Sequence, residues 1–91
     1  MEWTQYSLIK ENELWDNTAH GIALWRASYN KVIENEVSDS GIYGISLTAE
    51  ASDNVIKGNE VSGSGTYDLY WDGTGTGNVW EENEYDTSNL P

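Results

Sequence analysis

The side chains with the most chemistry to offer in this sequence are carboxylates set at a regular interval. Glu13, Glu36, Glu60 and Glu84 each follow an asparagine, at separations of 23, 24 and 24 residues. Brought together, they would offer the hard oxygen donors of a divalent-cation seat, since Ca²⁺ takes several carboxylate oxygens at about 2.3–2.6 Å. The competing reading is a solvated acidic surface. Sixteen Asp plus Glu stand against four Lys plus Arg, a formal charge of −12, and the acidity is spread over the whole chain. Surfaces of that kind belong to salt-adapted proteins, whose repulsion is screened as the Debye length shrinks to about 3 Å at 1 M salt. The surface reading is preferred, and Ca²⁺ is kept as the one cofactor this column could take.

A second group combines aromatic rings with carboxylates. Trp25, Tyr70, Asp68 and Asp72, with Arg26 at the margin, suit a sugar: apolar ring faces stack on aromatic side chains while hydroxyls take hydrogen bonds at the rim. Against this, aromatic residues are also ordinary strand residues that shield a sheet. His20 is the one histidine and there is no cysteine, so neither a zinc site nor a thiolate nucleophile can be built. A stacked bend residue is the better reading of His20 than a general base. Arg26 is the one arginine, too little cationic charge for a lyase that must neutralise a sugar carboxylate beside its base. The stretch Gly73-Thr74-Gly75-Thr76-Gly77 lacks the Lys-Ser/Thr of a phosphate loop and reads as a flexible turn. No catalytic residue is assigned.

The same charge argues against nucleic acid and anionic membrane surfaces as partners, because both would be repelled. The longest uncharged stretch, Ser40 to Ala49, falls far short of the roughly 18 apolar residues of a membrane span. Met1-Glu2-Trp3 does not begin a signal peptide.

The elements that must position these residues follow from an internal repeat. Asn12-Glu13-Leu14, Asn35-Glu36-Val37, Asn59-Glu60-Val61 and Asn83-Glu84-Tyr85 share one pattern. Three residues before each asparagine stands Ile9, Val32, Ile56 or Trp80, and two before that Ser7, Asn30, Asn54 or Asn78. Ten residues after the first three asparagines stand Ile22, Ile45 and Leu69, and two further on Leu24, Leu47 and Trp71. Apolar pairs at a spacing of two mean strands, since a helix would need them three and four apart. Turn chemistry separates the pairs at Asp16-Asn17, Asp39-Ser40-Gly41 and Gly63-Ser64-Gly65. A chain that bends several times per period coils, so equivalent residues lie above one another at the strand separation of about 4.8 Å. The asparagines at 12, 35, 59 and 83 then form a stacked amide ladder, and His20 shares a column with Tyr43 and Tyr67.

The expected fold is all-β: a parallel β-helix solenoid of about four coils of 23–24 residues. Its one domain spans 1–91, with coils near 6–28, 29–52, 53–76 and 77–91. Asn-x-Ile-x-x-Asn-x-Val followed by Gly-Ile-x-Leu resembles the coil consensus of right-handed parallel β-helix proteins of the pectin-lyase-like superfold. That superfold includes polysaccharide lyases, polygalacturonases, mannuronan epimerases, NosD-like periplasmic proteins and phage tailspikes. The resemblance runs from Tyr6 to Tyr85. It implies the right-handed sense, an extracellular or cell-surface location, and a ligand cleft on the sheet carrying the Gly-Ile-x-Leu strands. The paired aspartates of polygalacturonases and the Asp-Pro-His-Glu motif of the epimerases are absent.

The expected role is therefore a non-catalytic structural or carbohydrate-associated segment, partnered by a polysaccharide or glycan. The alternative is the terminal coils of a polysaccharide lyase, hydrolase or epimerase whose catalytic residues lie outside this chain. Counting back one period from Leu24 reaches Met1, and no polar cap precedes it. The segment is thus expected to be part of a longer solenoid, contacting further coils in cis or associating through its first coil. At the other end, Pro91 cannot continue a ladder.

Overall fold

The computed structural model describes residues 5–15 and 18–90. Met1, the Asp16-Asn17 turn and Pro91 lie outside the described residues. The elements are β1 (Leu8–Lys10), β2 (Glu13–Trp15), β3 (His20–Trp25), β4 (Lys31–Ile33), β5 (Glu36–Ser38), β6 (Tyr43–Thr48), β7 (Val55–Lys57), β8 (Glu60–Ser62), β9 (Tyr67–Trp71) and β10 (Val79–Glu81). They form three parallel sheets, ordered β1-β4-β7-β10, β2-β5-β8 and β3-β6-β9. Each turn of the chain gives one strand to each sheet, so the molecule is a parallel β-solenoid of three complete coils, with β10 beginning a fourth. The register stacks the repeat as the spacing requires: Ile9 on Val32 on Ile56 on Trp80, and Ile22 on Ile45 on Leu69.

Strands of three residues require sharp corners, and the corners are made by left-handed backbone. Among the described residues, ten that are not glycine have positive φ, including Tyr6, Glu11, Arg26, Tyr29, Glu34, Asp39, Ala49, Asp53 and Glu82. They fall into columns: Glu11, Glu34, Gly58 and Glu82 in one, Tyr6, Tyr29, Asp53 and Gly77 in another. Left-handed backbone costs an L-residue roughly 1–2 kcal/mol. Here it turns the N–H along the solenoid axis, where it meets a carbonyl of the next coil. Glu11 N donates to Ile33 O at 3.2 Å, Glu34 N to Lys57 O at 3.0 Å, and Gly58 N to Glu81 O at 3.1 Å. The chain thereby changes direction without leaving a buried donor unpaired.

Inside, Val32, Val37, Leu24, Ile45, Leu47, Ile56 and Leu69 are fully buried. Two amide ladders run beside them. In the expected one, Asn35 N and Nδ2 donate to Asn59 Oδ1 at 2.9 and 3.0 Å, and Asn59 repeats the pattern on Asn83 at 2.9 and 3.0 Å. Each Nδ2 also donates to a carbonyl of the preceding coil: Asn59 to Val32 O and Asn83 to Ile56 O, both at 2.9 Å. The second ladder runs through Asn30, Asn54 and Asn78, with Asn30 N on Asn54 Oδ1 at 2.9 Å and Asn54 N on Asn78 Oδ1 at 3.1 Å.

The fourth coil leaves this path. Asparagines pair 24 residues apart, but Asp68 N meets Thr87 Oγ1 only 19 residues on. The cause lies in the column Gly21, Gly44, Asp68. A Cβ on Gly21 would lie 2.3 Å from Val37 Cγ1 and one on Gly44 2.2 Å from Val61 Cγ1, so a regular coil above this column leaves no room for a side chain. Asp68 has one. The chain above it takes a short cut, Ser88 bridging Leu69, and the Asn89 side chain completes the edge of β9 by accepting from Trp71 N at 2.9 Å and donating to Trp71 O at 2.8 Å.

Candidate functional site

The outer face of β3-β6-β9 carries the residues assigned to a sugar. Register places Trp25 beside Thr48 and Ser46 beside Tyr70, with Asp72 just past the end of β9. Tyr70 and Asp72 therefore share the third coil, whereas Trp25 lies two strand spacings away, about 10 Å. Trp25 is an exposed ring with the Arg26 guanidinium carbon 5.2 Å from its centre, a cation–π contact on one face. Tyr70 is stacked on Tyr43, centroids 4.0 Å apart and planes within 8°. His20 and Tyr67 extend the row, 5.3 and 6.5 Å from Tyr43; His20 is stacked as its column suggests, but it opens strand β3 and does not sit at a bend. Burial and the hydrogen bond to Tyr70 push the Tyr43 phenol above its ordinary value.

The two aspartates differ from the sequence-based picture. Asp68 is not at the margin of an open patch. It is 1 % exposed, and its carboxylate accepts from Ser64 N at 3.1 Å, Asp86 N at 2.9 Å and Thr87 N at 3.2 Å. Desolvation alone would raise its pKa, but those N–H donors outweigh it and hold the group below the ordinary carboxylate value. Asp68 is thus spent on the fold, a role hidden in sequence because its donors lie up to 19 residues away. Asp72 is exposed, yet it organises the glycine-rich loop: it accepts from Thr74 N at 3.0 Å, Thr74 Oγ1 at 2.6 Å and Ala49 N at 2.8 Å. Burial opposes and these bonds win, so its pKa is also lowered. The loop read as flexible is tied down further by Glu50 N on Thr74 Oγ1 and Trp71 Nε1 on Thr74 O, both at 2.7 Å.

The glutamates stack as their spacing requires, Glu13 on Glu36 on Glu60 on Glu84, all exposed. Glu34 and Glu82 join Glu36, Glu60 and Glu84 around one shallow groove. Among the described residues, no group of three or more His, Cys, Asp or Glu side chains is placed to hold a metal ion. Like charges at the general strand separation of about 4.8 Å would repel by about 0.9 kcal/mol per neighbouring pair in water. Raising sodium chloride from about 0.1 M to 1 M shortens the Debye length from about 10 to 3 Å, and the melting temperature is expected to rise. Glu36→Gln, Glu60→Gln should be the more stable chain at low salt, and millimolar calcium at fixed ionic strength should act weakly on both. Destabilisation by added chloride would contradict this.

Soft or borderline metals fare no better. The chain holds one imidazole, no thiolate and one methionine, Met1. Copper sites are assembled from several such donors, and the ring of His20 is engaged in the tyrosine stack, its Nδ1 buried without a hydrogen-bond partner. No helix among the described residues is long and apolar enough to cross a membrane.

No curated protein and no solved structure matches the chain. The sequence model of the family described as "Periplasmic copper-binding protein (NosD)" matches residues 1–88, and the chain, a parallel β-helix repeat protein by its stacking and by this match, belongs to that family.

Proposed function

We propose that this chain is a non-catalytic β-helix scaffold segment of a periplasmic or cell-surface protein, and that it associates with neutral carbohydrate through the outer face of β3-β6-β9. The observation that carries the reading is the near-parallel ring row of His20, Tyr43, Tyr67 and Tyr70, with exposed Trp25 and the anchored carboxylate of Asp72 on the same sheet. Rings held in place lose little freedom on binding, which favours stacking against a sugar face. The net charge of −12 selects against anionic polysaccharide. Further coils in cis, or a second copy meeting the edge of coil one, are the proposed protein partners. Copper, which the family's description names, does not fit the donor set of this chain, and no step is assigned to it.

The test is titration calorimetry with a panel of neutral oligosaccharides against the chain and its Trp25→Ala, Tyr70→Ala double variant. Affinity is expected to fall at least about tenfold, which corresponds to 1.4 kcal/mol. Absence of any neutral ligand, or unchanged binding by the double variant, would contradict the reading.

A further inference from the structure

A second tyrosine stack lies at a different corner and takes no part in the proposed glycan face. Tyr6 and Tyr29 stack with ring centroids 5.2 Å apart and planes within 8°, and they are 78 % and 50 % exposed. Both occupy the same corner column in left-handed backbone, φ 55° and 59°, and the column continues as Asp53 and Gly77, so no ring follows Tyr29 in it. The backbone around the pair is fixed on both sides. Gln5 bridges Ser28, Ser7 N donates to Asn30 Oδ1 at 2.9 Å, Lys31 N to Ser7 O at 2.8 Å, and Tyr29 N to Ser52 O at 3.2 Å. Two phenols are thereby held one coil apart, in register and open to solvent.

We propose that Tyr6 and Tyr29 form an oxidative cross-linking site, at which an oxidant of the peroxidase class, consuming hydrogen peroxide, joins the two rings as a dityrosine. Each phenol loses one electron and its hydroxyl proton and becomes a tyrosyl radical. The two radicals couple through a bond between ring carbons ortho to the oxygens. The hydrogen on each joined carbon then moves to the adjacent oxygen and restores both phenols. Two hydrogens leave the protein in all, and one hydrogen peroxide takes up two electrons and two protons to give two waters.

Holding the rings together raises their effective concentration far above that of a second chain in solution, so coupling within the chain wins. The Tyr43–Tyr70 pair is closer, at 4.0 Å. It is also partly buried, and the raised Tyr43 pKa opposes the proton loss that oxidation requires. The new bond would tie coil one to coil two, restricting the unfolded chain as a disulfide does.

The experiment treats the full chain with a peroxidase and hydrogen peroxide, then reads dityrosine fluorescence, intact mass and the mass of the linked peptides. The expected product is a monomer lighter by two hydrogens, linked between Tyr6 and Tyr29, formed in a yield independent of protein concentration and melting higher than the untreated chain. Tyr6→Phe should lose it, and Tyr70→Phe should keep it. Absence of dityrosine, a product joining two chains whose yield rises with concentration, a link mapped to Tyr43 and Tyr70, or a product that survives Tyr6→Phe would each overturn the proposal.

Discussion

Asn59→Ala is expected to destabilise the chain by about 4 kcal/mol, a large share of its total stability. Asn59 is 1 % exposed. Its side chain accepts from Asn35 N and Asn35 Nδ2 and donates to Val32 O and Asn83 Oδ1. An alanine removes all four bonds; Asn35 Nδ2 keeps Ile9 O and Asn83 Oδ1 keeps Asn59 N, so the loss falls on the buried Asn35 N and Val32 O. A buried polar group left unpaired costs about 1–3 kcal/mol, while a domain of this length has a total stability on the order of 5–14 kcal/mol. Asn12 belongs to the same ladder but is exposed, and its backbone N and Nδ2 donate to Asn35 Oδ1. Asn12→Ala should therefore cost no more than about 1 kcal/mol. Urea unfolding followed by circular dichroism measures both. Equal losses would mean that the ladder's strength does not come from buried pairing.

Asp68→Asn is expected to cost about 2–3 kcal/mol at neutral pH, because an amide retains one of the two acceptor oxygens and turns its NH₂ towards N–H donors. The sign of the pH dependence follows from the lowered pKa. A carboxyl whose folded value lies below its unfolded value stabilises fully above the latter, here about 3.8, and loses that contribution as pH falls through the folded value. The gap between the two chains should be constant at neutral pH and close below about pH 3.8. The comparison must be made between chains, since the other fifteen acidic groups titrate in both. A gap that widens on acidification would show that Asp68 is not the acceptor for Asp86 and Thr87. Release of that segment should also perturb Trp71, whose backbone is paired with the Asn89 side chain, so indole fluorescence offers an independent readout.

The contrast between these two residues shows what a single sequence carries. Asn59 was legible because its neighbours in the ladder recur at a constant interval, and a constant interval in a coiled chain is a statement about which side chains touch. The second ladder was equally available: Asn30, Asn54 and Asn78 keep the same spacing of 24, and asparagine recurring in an inward column needs a buried partner. Asp68 breaks its column, Gly21 and Gly44 before it, and a break announces a change without saying which.

While the number of sheets came from the structure, the period and the alternation of apolar residues, both properties of sequence, determined the parallel strands, the coiling, the inward columns and the outward glutamates. Side-chain direction in a strand depends only on parity, and stacking only on the repeat, so no tertiary information was needed. Only the folded structure decided the corners, the fate of the aspartates and the path of the fourth coil. Glu11, Glu34 and Tyr29 adopt left-handed backbone against their own preference because a carbonyl of the next coil waits for each N–H. Asp68 is buried because the backbone N–H groups of Asp86 and Thr87 fold over it. Those outcomes depend on where groups remote in sequence arrive in space, and local residue preference is weaker than the need of a buried donor or carboxylate for a partner.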